Sequence, residues 1–87
     1  TEKALHKNAA VAGLALDDLR GAEVSAAQAL RLDPDYAAGH AVMARVHARQ
    51  GRRDEALTEW GAFLSLPHDP GDSLATAAEL ARAGIPR

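Results

Sequence analysis

From about Lys3 to Leu16 the apolar residues Leu5, Ala9, Ala12 and Leu16 recur at helical spacing, and Asp17-Asp18 then offers carboxylates to cap a new helix. The second helix carries Leu19, Ala22, Ala26, Ala29 and Leu30 on one face. It ends at Asp33-Pro34, because proline disfavours helical geometry in the residue before it and has no N–H to donate. From Asp35 the pattern restarts as a third helix running to about Gln50, with Val42, Met43 and Val46 inward and Gly51 as the left-handed stop. Asp54 caps a fourth helix whose Ala56, Leu57, Trp60, Phe63 and Leu64 form the heaviest apolar stripe in the chain. Pro67-His68-Asp69-Pro70-Gly71 reads as a loop. Asp72 or Ser73 then caps a last helix from Leu74 to Ala83, which ends at Gly84. In that helix Leu74, Ala77, Ala78 and Ala81 are expected inward, Glu79 outward, and Arg82 at the negative end of the helix dipole. Nothing reads as strand, so the pattern predicts an all-α chain.

Sliding the sequence on itself by 34 residues superposes Ala4 on Ala38, His6 on His40, Ala22 on Ala56, Leu30 on Leu64 and Leu32 on Leu66. Ala10, Ala44 and Ala78 make a ladder at the same step. Self-similarity at this period points to stacked helix hairpins, an α-α superhelix. The expected organisation of residues 1–87 is one repeat domain: repeat one at 3–36, repeat two at 37–70, and a C-terminal capping helix at about 72–83. An array needs such a cap because its last repeat otherwise exposes the surface meant for a successor.

Alanine and leucine supply nearly all the apolar content, and Tyr36, Trp60 and Phe63 are the only aromatic residues. Alanine forms helix readily but removes little apolar area from water when buried. Helices should form easily and pack thinly, with flanking repeats, a partner or self-association adding burial. The formal net charge of -2 gives no basic field, so nucleic acid is not an expected partner. The absence of cysteine fits a reducing compartment without excluding the periplasm, and no apolar run is long enough to insert directly into a membrane.

Taken together these residues resemble the tetratricopeptide repeat, a helix-turn-helix unit of 34 residues. The carriers are the small residue in each first helix (Ala10, Ala44, Ala78), the Gly51 turn, Asp54-Glu55-Ala56-Leu57 opening the second helix, Trp60, and the Leu32-Asp33-Pro34 ending. The first repeat departs from the pattern: Asp17 occupies the turn glycine, and Ala26 stands where an aromatic is common. His6 and His40 fill a site where the family often has a large aromatic. Phe63 replaces a small residue, as expected if the last hairpin packs on a cap. Alanine and arginine usage resembles a GC-rich bacterial coding bias.

The resemblance implies a protein–protein interaction module, binding a peptide or partner domain on the concave face lined by the first helix of each hairpin. Here that face would be Lys7, Val11, Leu14, Ala38, Ala41, Arg45, Ala48 and Arg49. Arg45 and Arg49 stand one turn apart and, unpaired, repel by roughly a few tenths of a kcal/mol. A carboxylate on an acidic partner would relieve this; so would intramolecular acids on a solvated face. The family's two-carboxylate clamp for chaperone tails is disfavoured, since only Lys7 fits it and Val11 and Val42 stand where its asparagines would be. His40 and His47, two turns apart, suggest a metal site with Asp54 or His6 only remotely, because the spacing matches no known motif. With no cysteine nucleophile, no phosphate loop and no partnered serine, catalysis and cofactors are not expected. The alternative reading is an oligomerisation or spacer element of a larger protein.

Overall fold

The computed structural model describes residues 1–86. It is all-helical among those residues: α1 (Glu2–Ala15), α2 (Leu19–Leu32), α3 (Ala37–Arg49), α4 (Arg53–Leu64) and α5 (Pro70–Arg82). The helices α1 and α2 pair as one hairpin, α3 and α4 as a second, and α3 packs on both helices of the first while α5 packs on α3. None of these helices is long and apolar enough to cross a membrane.

Local chemistry sets the boundaries. Asp18 caps α2 by accepting from the Gly21 N–H at 3.0 Å, as its position before Leu19 suggested. The start of α5 lies earlier than the sequence pattern indicated. Asp69, rather than Asp72 or Ser73, is the N-cap, accepting from the Gly71 N–H at 2.7 Å, and Pro70 enters the first turn, where a missing N–H costs nothing. Asp54 likewise is not the cap of α4. It sits inside the first turn with Glu55, where both carboxylates face the positive end of the helix dipole.

Three helices end in the same left-handed turn. The Asp18 N–H reaches the Gly13 carbonyl at 2.8 Å, Arg52 reaches His47 at 2.9 Å, and Ile85 reaches Leu80 at 3.0 Å. The residue that swings to positive φ is Asp17 (60°), then Gly51 (75°), then Gly84 (72°). Asp17 thus performs the glycine's task, tolerable because a short polar side chain is among the least strained there. The first two turns lie 34 residues apart and the last two 33. At 3.6 residues per turn, one missing residue rotates a helix face by about 100°. This overturns the expected face of α5: Thr76, Glu79 and Leu80 are buried, while Ala78 and Ala81 are exposed and Leu74 is 74% exposed. The small-residue ladder therefore passes to Ala77.

The main core joins Ala10 and Leu14 of α1, Ala22 and Ala26 of α2, and Val42, Met43 and Val46 of α3. A second cluster brings Ala48, Ala56, Leu80 and Ile85 together under Leu57 and Trp60. Phe63 is fully buried, stacked on Trp60 at 5.6 Å and tilted against the His68 ring at 4.3 Å. The stripe Leu5, Ala9, Ala12 and Leu16 does not enter the core. Leu5 is 68% and Leu16 80% exposed, because α1 has a hairpin on one side alone and turns Ala10, Gly13 and Leu14 toward it.

Gly13 is where α1 and α2 touch. A Cβ added there would lie 2.9 Å from the Ala22 Cβ and 3.1 Å from the Ala22 Cα and N, so a helix would have to move. Removing a helical glycine normally gains about 0.5–1 kcal/mol, whereas overpacking costs about 1–3 kcal/mol, so the packing term decides the sign. Gly13→Ala is expected to lower stability in urea melts. Gly61→Ala, in α4 with nothing within 4 Å of its added methyl, is expected to raise it by about 0.5–1 kcal/mol.

Candidate functional site: an arginine-lined cleft

On α3, Arg45 and Arg49 project toward α5, and the 33-residue phase turns Glu79 to meet them. Arg49 forks onto that carboxylate, Nε donating to Oε2 and Nη2 to Oε1, both at 3.1 Å. Its Nη1 donates to the Leu14 carbonyl at 2.8 Å, satisfying an oxygen in the last turn of α1. One guanidinium thus links α1, α3 and α5. Arg45 Nε and Arg82 Nη2 each lie 3.6 Å from Glu79 Oε1, close enough for attraction but not for a hydrogen bond.

The Glu79 side chain is 6% exposed. Burial disfavours its ionised form, but the hydrogen bonds and charge of Arg49, with the charges of Arg82 and Arg45, outweigh that and hold the carboxyl below its ordinary value. Arg49 is held above its own ordinary value, chiefly by the hydrogen bonds to Glu79, with Asp17 adding attraction across the cleft. Beside this network opens a cleft of about 560 Å³ between Asp17 of the first turn, Leu19 of α2, Ala48 and Arg49 of α3, and Glu79 and Arg82 of α5.

The residues expected on the binding face separate into groups. Arg45 and Arg49 stand together as expected, yet their nearest carboxylate is the chain's own. Leu14, Ala41 and Ala48 are buried, so they underlie the face instead of lining it. Lys7 and Ala38 are half-buried, and Val11 is 38% exposed. Glu79 and Arg82 escaped the sequence reading because the 34-residue step was carried one repeat too far. The 33-residue interval from Gly51 to Gly84 is the signal that locates them.

His40 has two local partners. His40 Nδ1 lies 3.0 Å from Glu59 Oε1 and Nε2 lies 2.7 Å from the Pro34 carbonyl, tying α4 to the turn between repeats. Among the described residues no three His, Cys, Asp or Glu side chains gather as metal ligands.

Because the Glu79 carboxyl is held low, its contribution is complete above the ordinary glutamate range and is lost as pH falls through the depressed value. Thermal melts from pH 7 to pH 3 should therefore show an acid loss that is smaller in Glu79→Gln than in the unaltered chain. At pH 7 this substitution should cost about 3 kcal/mol, as for removal of one partner from a buried ion pair. No family model, curated protein or solved structure matches the chain.

Proposed function

We propose that this chain is a protein–protein interaction module of tetratricopeptide type, taking a peptide or partner domain on the layer formed by α1, α3 and α5. The supporting observation is Arg45. Its side chain is 23% exposed and its Nε is buried, yet none of its N–H groups reaches a hydrogen-bond acceptor among the described residues. The Glu79 carboxylate at 3.6 Å attracts this guanidinium without accepting a hydrogen bond from it, and an acidic group on a partner would supply the missing acceptor. Val11 and Leu74 expose apolar surface on the same set of first helices, giving an acidic anchor an apolar surround.

Arg49 is unsuitable for testing this reading because it holds the fold. Arg45→Gln and Leu74→Asp are the informative variants. A partner captured by the unaltered chain should bind each about tenfold more weakly, a loss of about 1.4 kcal/mol, with helicity retained by circular dichroism. Unchanged affinity in both would rule the layer out.

A second reading, self-association, has its own support in the uncovered stripe Leu5, Ala9, Ala12 and Leu16. An apolar stripe on one helix face is the surface by which helices pair. Sedimentation equilibrium should then report a dimer that Leu5→Glu/Leu16→Glu converts to monomer; a monomer at millimolar concentration in the unaltered chain would eliminate this version.

A further inference from the structure

Two residues along α3 from Arg45, His47 points to the opposite side of the helix and lines a second, smaller cavity of about 240 Å³ with Asp54, Glu55, Thr58 and Glu59 of α4. We infer that this cavity is a binding site for a cationic nitrogen group, an ammonium or guanidinium, distinct from the cleft described above.

The first argument is the orientation of His47, which is 9% exposed. Gln50 Nε2 donates to Glu23 Oε1 at 2.8 Å, which fixes the amide and turns Gln50 Oε1 toward the ring. Arg52 Nη1, 3.4 Å from that same oxygen, agrees with its being the acceptor. His47 Nδ1, 3.1 Å from Gln50 Oε1, therefore carries the proton, and in the neutral ring Nε2 is left as a lone pair. No group among the described residues pairs with Nε2. A side chain nine-tenths buried thus has one nitrogen anchored through two further residues and the other unpartnered.

The second argument is the inventory of polar groups around the cavity. Among the described residues Asp54 has no ion-pair partner. Glu59 gives one oxygen to His40 and keeps the other, and Glu55 gives one oxygen to Arg52 at 3.4 Å and keeps the other. The Thr58 hydroxyl spends its proton on the Asp54 carbonyl at 2.9 Å. With the His47 ring neutral, every side chain lining this space offers acceptors, and among the described residues none of them offers a free donor. The complementary group has donors and no acceptors and is positive, which describes ammonium and guanidinium. Among the described residues no three ligands gather at metal-holding distance, so the site suits a hydrogen-bonded cation better than a coordinated ion. The volume lies below that usual for drug-sized ligands and matches the end of one side chain or a small amine.

The test is a titration of the isotope-labelled chain followed by NMR, reading the His47 ring nitrogens and the backbone amides of residues 54–59. The probes are N-acetyl-lysine amide, N-acetyl-arginine amide, putrescine and, as the uncharged control, N-acetyl-norleucine amide. The cationic probes should give saturable shifts that weaken with added salt, and the norleucine probe none. Stronger binding by the amino-acid amides assigns the site to a basic side chain on a polypeptide; stronger binding by putrescine assigns it to a free amine. Asp54→Asn/Glu55→Gln alters two exposed residues and should weaken the cations at least tenfold with the helical circular-dichroism signal retained, while the melting temperature falls by a few degrees as the helix-dipole interaction is lost. Equal shifts with norleucine amide, retained affinity in that variant, or a response of His47 to zinc with none to amines would overturn the proposal.

Discussion

The fork between Arg49 and Glu79 is the contact on which the rest of the arrangement depends, because it is where three first helices become one layer. A guanidinium in a partly buried position needs acceptors in its own plane. Arg49 finds them in a carboxylate from α5 and a terminal carbonyl from α1. Such a pair adds little stability over a well-packed apolar substitute, since desolvating two charges cancels much of their attraction. What it supplies is selection among alternatives. Rotating α5 by one residue would remove the carboxylate and leave Arg45 and Arg49 beside alanine or leucine, a loss of several kcal/mol. The charge network therefore fixes the phase of the terminal helix.

That phase matters because the apolar contacts are too thin to impose it alone. Leu14, Val42, Met43 and Val46 are embedded in a largely alanine core, and alanine offers short, similar side chains on several faces. Cohesion comes instead from close approach. At Gly13 the backbone of α1 comes so near Ala22 that one methyl would not fit, and at Gly39 a Cβ would stand 2.9 Å from Leu30 Cδ2. Close-packed backbones gain dispersion contacts that small side chains would otherwise forfeit. Larger side chains gather where no such approach is made, with Trp60, Phe63 and His68 filling the side of the second hairpin toward the cap.

The helix α3 divides the molecule chemically as well as structurally. One side presents guanidinium donors, of which Arg49 is fully engaged and Arg45 is not. The other presents His47 and the carboxylates of α4, a surface of acceptors. Neighbouring positions on one helix can differ this much because successive residues point 100° apart. The small net charge thus hides two local fields of opposite sign, and a partner would meet different chemistry on each.

The sequence by itself determined the helices. The apolar spacing, Asp18 before Leu19, Pro34 after Asp33, and Gly51 and Gly84 as stops are local signals, and local hydrogen bonding and φ preferences enforce them wherever the chain lies. The hairpin repeat was legible for the same reason, through Ala10, Ala44 and the shared turn. The faces of the outer helices were not. Leu5 and Leu16 read as core residues and are exposed, and Glu79 reads as a surface residue and is buried, because spacing along one helix defines a stripe without saying what covers it. Only the tertiary structure decided that none of the described residues covers the apolar side of α1. It also decided that a turn one residue short would rotate α5 until Glu79 met Arg49. Those outcomes belong to pairs of distant residues, where an ion must find its counter-charge or remain desolvated alone.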